Sequence, residues 1–105
     1  MNLNDFNAVV QGQMERCENV LNQKADEYVF GDDRLEHFKT SAAEQGTTPK
    51  QALWGMASKH ITSIGGMCKN GSDNMELWLE KITDSLNYLL LLRALIEEEA
   101  GDEEH

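Results

Sequence analysis

At 105 residues and 11.8 kDa the chain holds one domain's worth of sequence. Its 19 acidic residues against 9 Lys plus Arg set a formal net charge of −10, which excludes a module that grips a nucleic-acid polymer by counterion release. Hydrophobic residues at 40% and charged residues at 27% exclude global disorder, and a single proline favours long helices over a turn-rich β-sandwich.

The first segment, about residues 4 to 29, repeats Phe6, Val10, Met14, Cys17, Leu21, Ala25 and Tyr28 at spacings of three and four, one stripe of a long amphipathic helix. Gly31, Asp32 and Asp33 break it. Asp33-Arg34-Leu35-Glu36 reads as a capping box for a shorter helix carrying Leu35, Phe38, Ala42 and Ala43, with Gly46 as its left-handed stop. Thr48-Pro49-Lys50-Gln51 then gives the sharpest start signal in the chain: a Thr N-cap, Pro at the first helical position and Gln at N3. The third helix carries Leu53, Met56, Ala57, Ile61, Ile64 and Cys68 on one face, and Gly65-Gly66 within it predicts a kink or a close crossing. Asn70-Gly71 makes a turn, and Asp73 with Glu76 reads as a capping box opening the fourth helix, which ends near Glu99.

Six acids (Glu97, Glu98, Glu99, Asp102, Glu103, Glu104) crowd the last nine residues, so a single domain at 1–99 is expected to carry an acidic, unstructured tail at 100–105. The chain has no run of 18 apolar residues, and MNLNDFNAVVQGQ lacks the basic region and apolar stretch of a secretory signal. Cys17 and Cys68 fall at apolar helical positions and read as small hydrophobes of a reducing compartment. The expectation is a cytoplasmic protein with no membrane partner.

On a helical wheel the fourth helix has two apolar stripes. One runs through Met75, Trp78, Ile82, Leu86 and Leu89, the other through Leu77, Tyr88, Leu91 and Leu95. A helix with two apolar faces needs two packing partners. The expected fold is therefore all-α, a bundle of three long helices and one short one, completed by homo-oligomerisation around the fourth helix.

Three ionisable residues interrupt these stripes: Lys24 in the first helix, His60 in the third and Asp84 in the fourth. A buried unpaired charge costs several kcal/mol, so such residues need partners or a function. Singly, each reads best as a structural network member, with Lys24 paired to Asp84. Together they predict a lined cavity. As half of a buried pair, Asp84 would cost about 3–5 kcal/mol when changed to Asn. Glu76, Glu80, Asp84 and Asn87 share one side of the fourth helix, and Glu27 stands one turn from Lys24. Carboxylates converging from two helices are the oxygen ligands that Mg2+ takes. For Glu76 a solvated face is the better reading. His37 and His105 carry no argument in the sequence.

The stretch Glu80-Lys81-Ile82-Thr83-Asp84-Ser85-Leu86-Asn87-Tyr88-Leu89-Leu90 resembles the last motif of the MazG-like, all-α nucleotide pyrophosphohydrolases. From Lys24 to Ile96, about two-thirds of the chain, it resembles small phage and prophage proteins related to nucleotide-modification-associated domains. The elements that carry this are Lys24-Ala25-Asp26-Glu27-Tyr28, Asp33-Arg34 with Phe38-Lys39, Leu53-Trp54-Gly55-Met56 with Lys59-His60, and Glu80-Lys81-Ile82-Thr83-Asp84 with Asn87-Tyr88. The superfamily places Glu-x-x-Asp on its later helix, whereas here Lys81 stands three before Asp84 and Glu80 four before it.

The resemblance implies Mg2+-dependent cleavage of a nucleoside triphosphate to monophosphate and pyrophosphate, in the host cytoplasm if phage-encoded. Glu27, Glu80 and Asp84 would hold the metal, with Glu80 and Asp84 as the catalytic pair. Lys24, Arg34, Lys59 and Lys81 would meet phosphates, and Asn87 or His60 would orient a ligand group. The thinned carboxylate set leaves two other readings open: a non-catalytic protein that sequesters a nucleotide, in the manner of a phage anti-defence sponge, and a helical protein–protein adaptor.

Overall fold

The computed structural model describes residues 1–28 and 33–103, except for the side chains of residues 25–28 and 103. Four helices occupy them: α1 (Leu3–Tyr28), α2 (Glu36–Gln45), α3 (Pro49–Asn70) and α4 (Met75–Glu103). The all-α expectation holds for the described residues. Ala25, Glu27 and Tyr28 have helical backbone, but their side chains lie outside the description, as do Gly31 and Asp32 entirely.

The helix ends follow local chemistry. At α3, Thr48 Oγ1 accepts from the Gln51 N–H while Gln51 Oε1 accepts from the Thr48 N–H, both at 3.2 Å, which is the expected reciprocal box with Pro49 behind it. Gly46 closes α2 in the left-handed conformation (φ 67°), where the Thr47 N–H reaches the Ala42 carbonyl at 2.9 Å. Two expected caps are displaced. Asn74, not Asp73, caps α4, its Oδ1 accepting from the Leu77 N–H at 3.1 Å, because Asn74 stands immediately before the first helical residue. Asp33 makes no box with Glu36; its Oδ1 accepts from the Leu35 N–H at 2.9 Å and α2 begins one residue later. The fourth helix also runs past Glu99 to Glu103, with Glu98 and Glu99 tied to Lys39 and Lys50.

The core lies between α2, α3 and α4. Leu35, Phe38, Leu53, Ala57 and Leu95 are buried together, with Met56, Tyr88, Leu91 and Leu92 packed against them. A four-residue connection makes α3 and α4 an antiparallel hairpin, and α2 lies against α3. In α3 the inward row is Leu53, Ala57, His60 and Ile64 at spacings of four, three and four, so Ile61 and Cys68 turn outward, against expectation. No close crossing explains Gly65-Gly66, since a Cβ at either would meet open space.

Helix α1 packs chiefly on α4, and through polar atoms. The Gln13 amide donates to Thr83 Oγ1 at 2.9 Å, and Lys24 lies 3.5 Å from Asp84. Gln13 and Lys24 are about 16 Å apart along α1 whereas Thr83 and Asp84 are adjacent, so α1 crosses α4 instead of running beside it. Cys17, 1% exposed, is the fully buried side chain at that crossing. Beyond it Met14, Val10 and Phe6 are 50%, 44% and 54% exposed, so among the described residues most of the apolar stripe read in α1 stays about half open to solvent.

Candidate functional site

The residues that break the apolar stripes come together. Asp84, in the middle of α4, has Lys24 of α1 at 3.5 Å from one carboxylate oxygen and His60 Nδ1 of α3 at 3.9 Å from the other. The His60 ring lies against Tyr88, centroids 5.3 Å apart. The adaptor reading requires such a network with no cavity beside it, and a cavity is present. It has a volume of about 120 Å³; Leu21 and Lys24 of α1, Arg34 and the α2 residues His37 and Phe38, and Asp84, Asn87, Tyr88 and Leu91 of α4 line it.

Among the described residues three buried polar atoms lack a hydrogen bond: His60 Nδ1, which faces Asp84, and both amide atoms of Asn87, a residue of the cavity wall. Asn87 is 6% exposed. Its buried neighbours on α4 show what satisfaction requires. Thr83 accepts from Gln13, and the Ser85 hydroxyl donates to the Lys81 carbonyl at 2.7 Å. An orphaned buried polar group costs about 1–3 kcal/mol, so an Asn with donor and acceptor both unmet marks a place where a partner arrives.

The charges here are unevenly engaged. Asp84 is 13% exposed and balances Lys24, which is 42% exposed. Arg34 makes no ion pair among the described residues. Among the described residues the cavity therefore offers one uncompensated guanidinium, whose planar fork suits carboxylate or phosphate oxygens.

Other expected site residues fall elsewhere. Glu80 and Lys59 are exposed and Lys81 half-buried, and none of the three lines the cavity. Glu27 lies outside the described side chains. No group of three His, Cys, Asp or Glu side chains that could hold a metal occurs among the described residues. The sequence reading passed over His37, although its place three residues after Arg34 puts both on one side of the segment entering α2.

A clasp holds that segment in place. Lys39 of α2 donates to Asp33 Oδ2 at 2.6 Å and to Glu98 Oε1 of α4 at 2.5 Å. The bond from Lys39, with the Leu35 N–H, holds the Asp33 carboxyl below its ordinary range; Asp33 and then Glu98 push the Lys39 ammonium above its own. A lowered carboxyl pKa stabilises the fold above the ordinary carboxylate range and loses that as pH falls through the folded value. A raised ammonium pKa stabilises it below the ordinary lysine value and loses that as pH rises through the folded value. Lys39→Met is therefore expected to melt slightly lower than wild type across neutral pH, by the equivalent of at most about 1 kcal/mol since all three groups are about a third exposed. Melts taken down through the carboxylate range should show the gap closing; a gap that stays constant there would mean that Asp33 is not its source.

No family model, curated protein or solved structure matches the chain. The resemblance to helical pyrophosphohydrolases and phage proteins therefore rests on the quoted motifs alone.

Proposed function

We propose that the protein binds a nucleotide in the cavity between α1, α2 and α4. The observation that carries this reading is Asn87, buried at the cavity wall with a donor and an acceptor both unpaired. A turn of the Asn87 side chain toward the cavity would bring both atoms to a nucleobase edge, whose adjacent acceptor and donor groups would satisfy them. Phe38, Tyr88 and Leu91 supply apolar wall for a flat ring, and Arg34 with Lys24 supplies the phosphate contacts.

The described residues favour holding the nucleotide over cleaving it. Asp84 is engaged by Lys24, Glu80 stands off the cavity, and these residues do not make an Mg2+ cage. Mg2+-dependent pyrophosphohydrolysis is the second reading, and what favours it is a carboxylate, Asp84, on the cavity wall.

Asp84→Asn separates the two with opposite signs. The Lys24–Asp84 pair is half open to water, so its loss should cost about 0–1 kcal/mol of stability, well short of the 3–5 kcal/mol of a fully buried pair. In a binding protein the change frees Lys24 and tightens the hold on an anion. In a metal-dependent hydrolase it abolishes turnover. Calorimetric titration beside a pyrophosphate-release assay, with a panel of nucleoside triphosphates and Mg2+, reads both. If wild type releases pyrophosphate and the variant does not, the binding-only reading fails.

The reading includes self-association, with a second copy covering the distal half of α1. Leu3, Phe6, Val9, Val10 and Met14 form a contiguous exposed apolar patch that continues the stripe already seated on α4. The expected centre of assembly thus moves from α4 to α1: on α4 Trp78, Ile82 and Leu86 are half-buried within the chain, leaving Met75 and Leu89 exposed on that stripe.

A further inference from the structure

We infer that the cavity selects a nucleotide carrying a single negative charge, a phosphodiester, over a nucleoside triphosphate. The inference rests on the nucleotide reading above and narrows it to a ligand class. Among the described residues, with histidines counted neutral, the charged groups lining the cavity are Arg34, Lys24 and Asp84, a sum of +1. Asp84 cancels Lys24 at 3.5 Å, which leaves Arg34 to meet the ligand. Its fork matches the two non-bridging oxygens of one phosphodiester in a bidentate contact. Lys59 and Lys81, the further cations that a polyphosphate chain would need, do not line the cavity.

Charge outside the cavity works in the same direction. The chain's net charge of −10 sets a negative field that repels a ligand more strongly with each added charge. A phosphate monoester carries about −1.5 to −2 at neutral pH, and a triphosphate exceeds that. Only the monoanion is matched one for one by the free guanidinium.

The test is calorimetric titration of the wild-type protein with 3′,5′-cyclic mononucleotides, 5′-monophosphates and 5′-triphosphates of the four bases, in EDTA and again with Mg2+. Cyclic nucleotides should bind most tightly and triphosphates least, by at least about tenfold for the preferred base, with no dependence on Mg2+. Asp84→Asn, which raises the cavity to +2, should narrow that gap, and Arg34→Gln should weaken the cyclic nucleotide more than tenfold. Triphosphates that bind as tightly as the cyclic forms, or only with Mg2+, would overturn the charge inference and leave the nucleotide reading standing. If no nucleotide of any class binds to folded protein, the nucleotide reading falls and this inference falls with it.

Discussion

Asn87→Leu is expected to raise the melting temperature and abolish nucleotide binding in the same variant. In wild type both amide atoms of Asn87 are shut away from water without partners. Each such group costs about 1–3 kcal/mol, and an apolar side chain of similar size removes the penalty without leaving a cavity. The neighbouring Tyr88 and Leu91 offer an apolar setting for it. A gain of about 1–2 kcal/mol corresponds to a rise of about 4–16 °C in a domain of this size. Binding should vanish because the edge-reading pair is gone while Arg34 and Lys24 remain. Such opposition between stability and activity marks a residue retained for function. Thermal melts and titrations of the two proteins decide it. A variant that melts well below wild type would mean that the Asn87 amide is satisfied and structural, and the site would lose its strongest support.

On the proposed α1-to-α1 assembly, Phe6→Glu is expected to leave a monomer with its fold intact. Phe6 is 54% exposed within one chain, so a charge there costs the isolated subunit little. In an α1-to-α1 interface the same carboxylate would be desolvated without a partner, at a cost of several kcal/mol, enough to abolish association. Sedimentation velocity across a concentration series, with circular dichroism for the fold, measures both. The net charge of −10 on each copy opposes association, so added salt should strengthen it in wild type. Wild type that stays monomeric at high concentration and high salt would remove self-association from the reading.

Local features were the most legible ones. Thr48-Pro49-Lys50-Gln51 and Gly46 announce helix ends because their hydrogen bonds involve only neighbours in sequence. The α4 cap was misplaced by one residue because Asp73 and Asn74 are equally good N-caps, and only the backbone conformation chooses between them. Lys24, His60 and Asp84 stand out as breaks in apolar periodicity, and they do meet. A wheel gives the direction a side chain points but not what covers it. That is why Glu80, on the same side of α4 as Asp84, falls off the cavity, and why the Phe6–Met14 stripe reads like core although the described residues leave about half of it exposed. Asn87 was legible as a polar residue beside Tyr88; that both its amide atoms go unpaired follows only from the assembled neighbours.

Helix α1 gives Leu21 and Lys24 to the cavity wall and, a few turns earlier, Phe6, Val10 and Met14 to the surface where a second copy would sit. Among the described residues it is seated on α4 by one amide–hydroxyl bond, one partly solvated ion pair and a fully buried cysteine. Whatever fixes α1 on α4 therefore assists both events. On the proposed reading, a ligand bridging Lys24 to Asn87 would make the distal stripe a better-ordered target for a second copy, and that copy would in turn hold Lys24 over the cavity. Thermodynamic reciprocity requires the two effects to be equal: the factor by which ligand tightens assembly is the factor by which assembly tightens ligand.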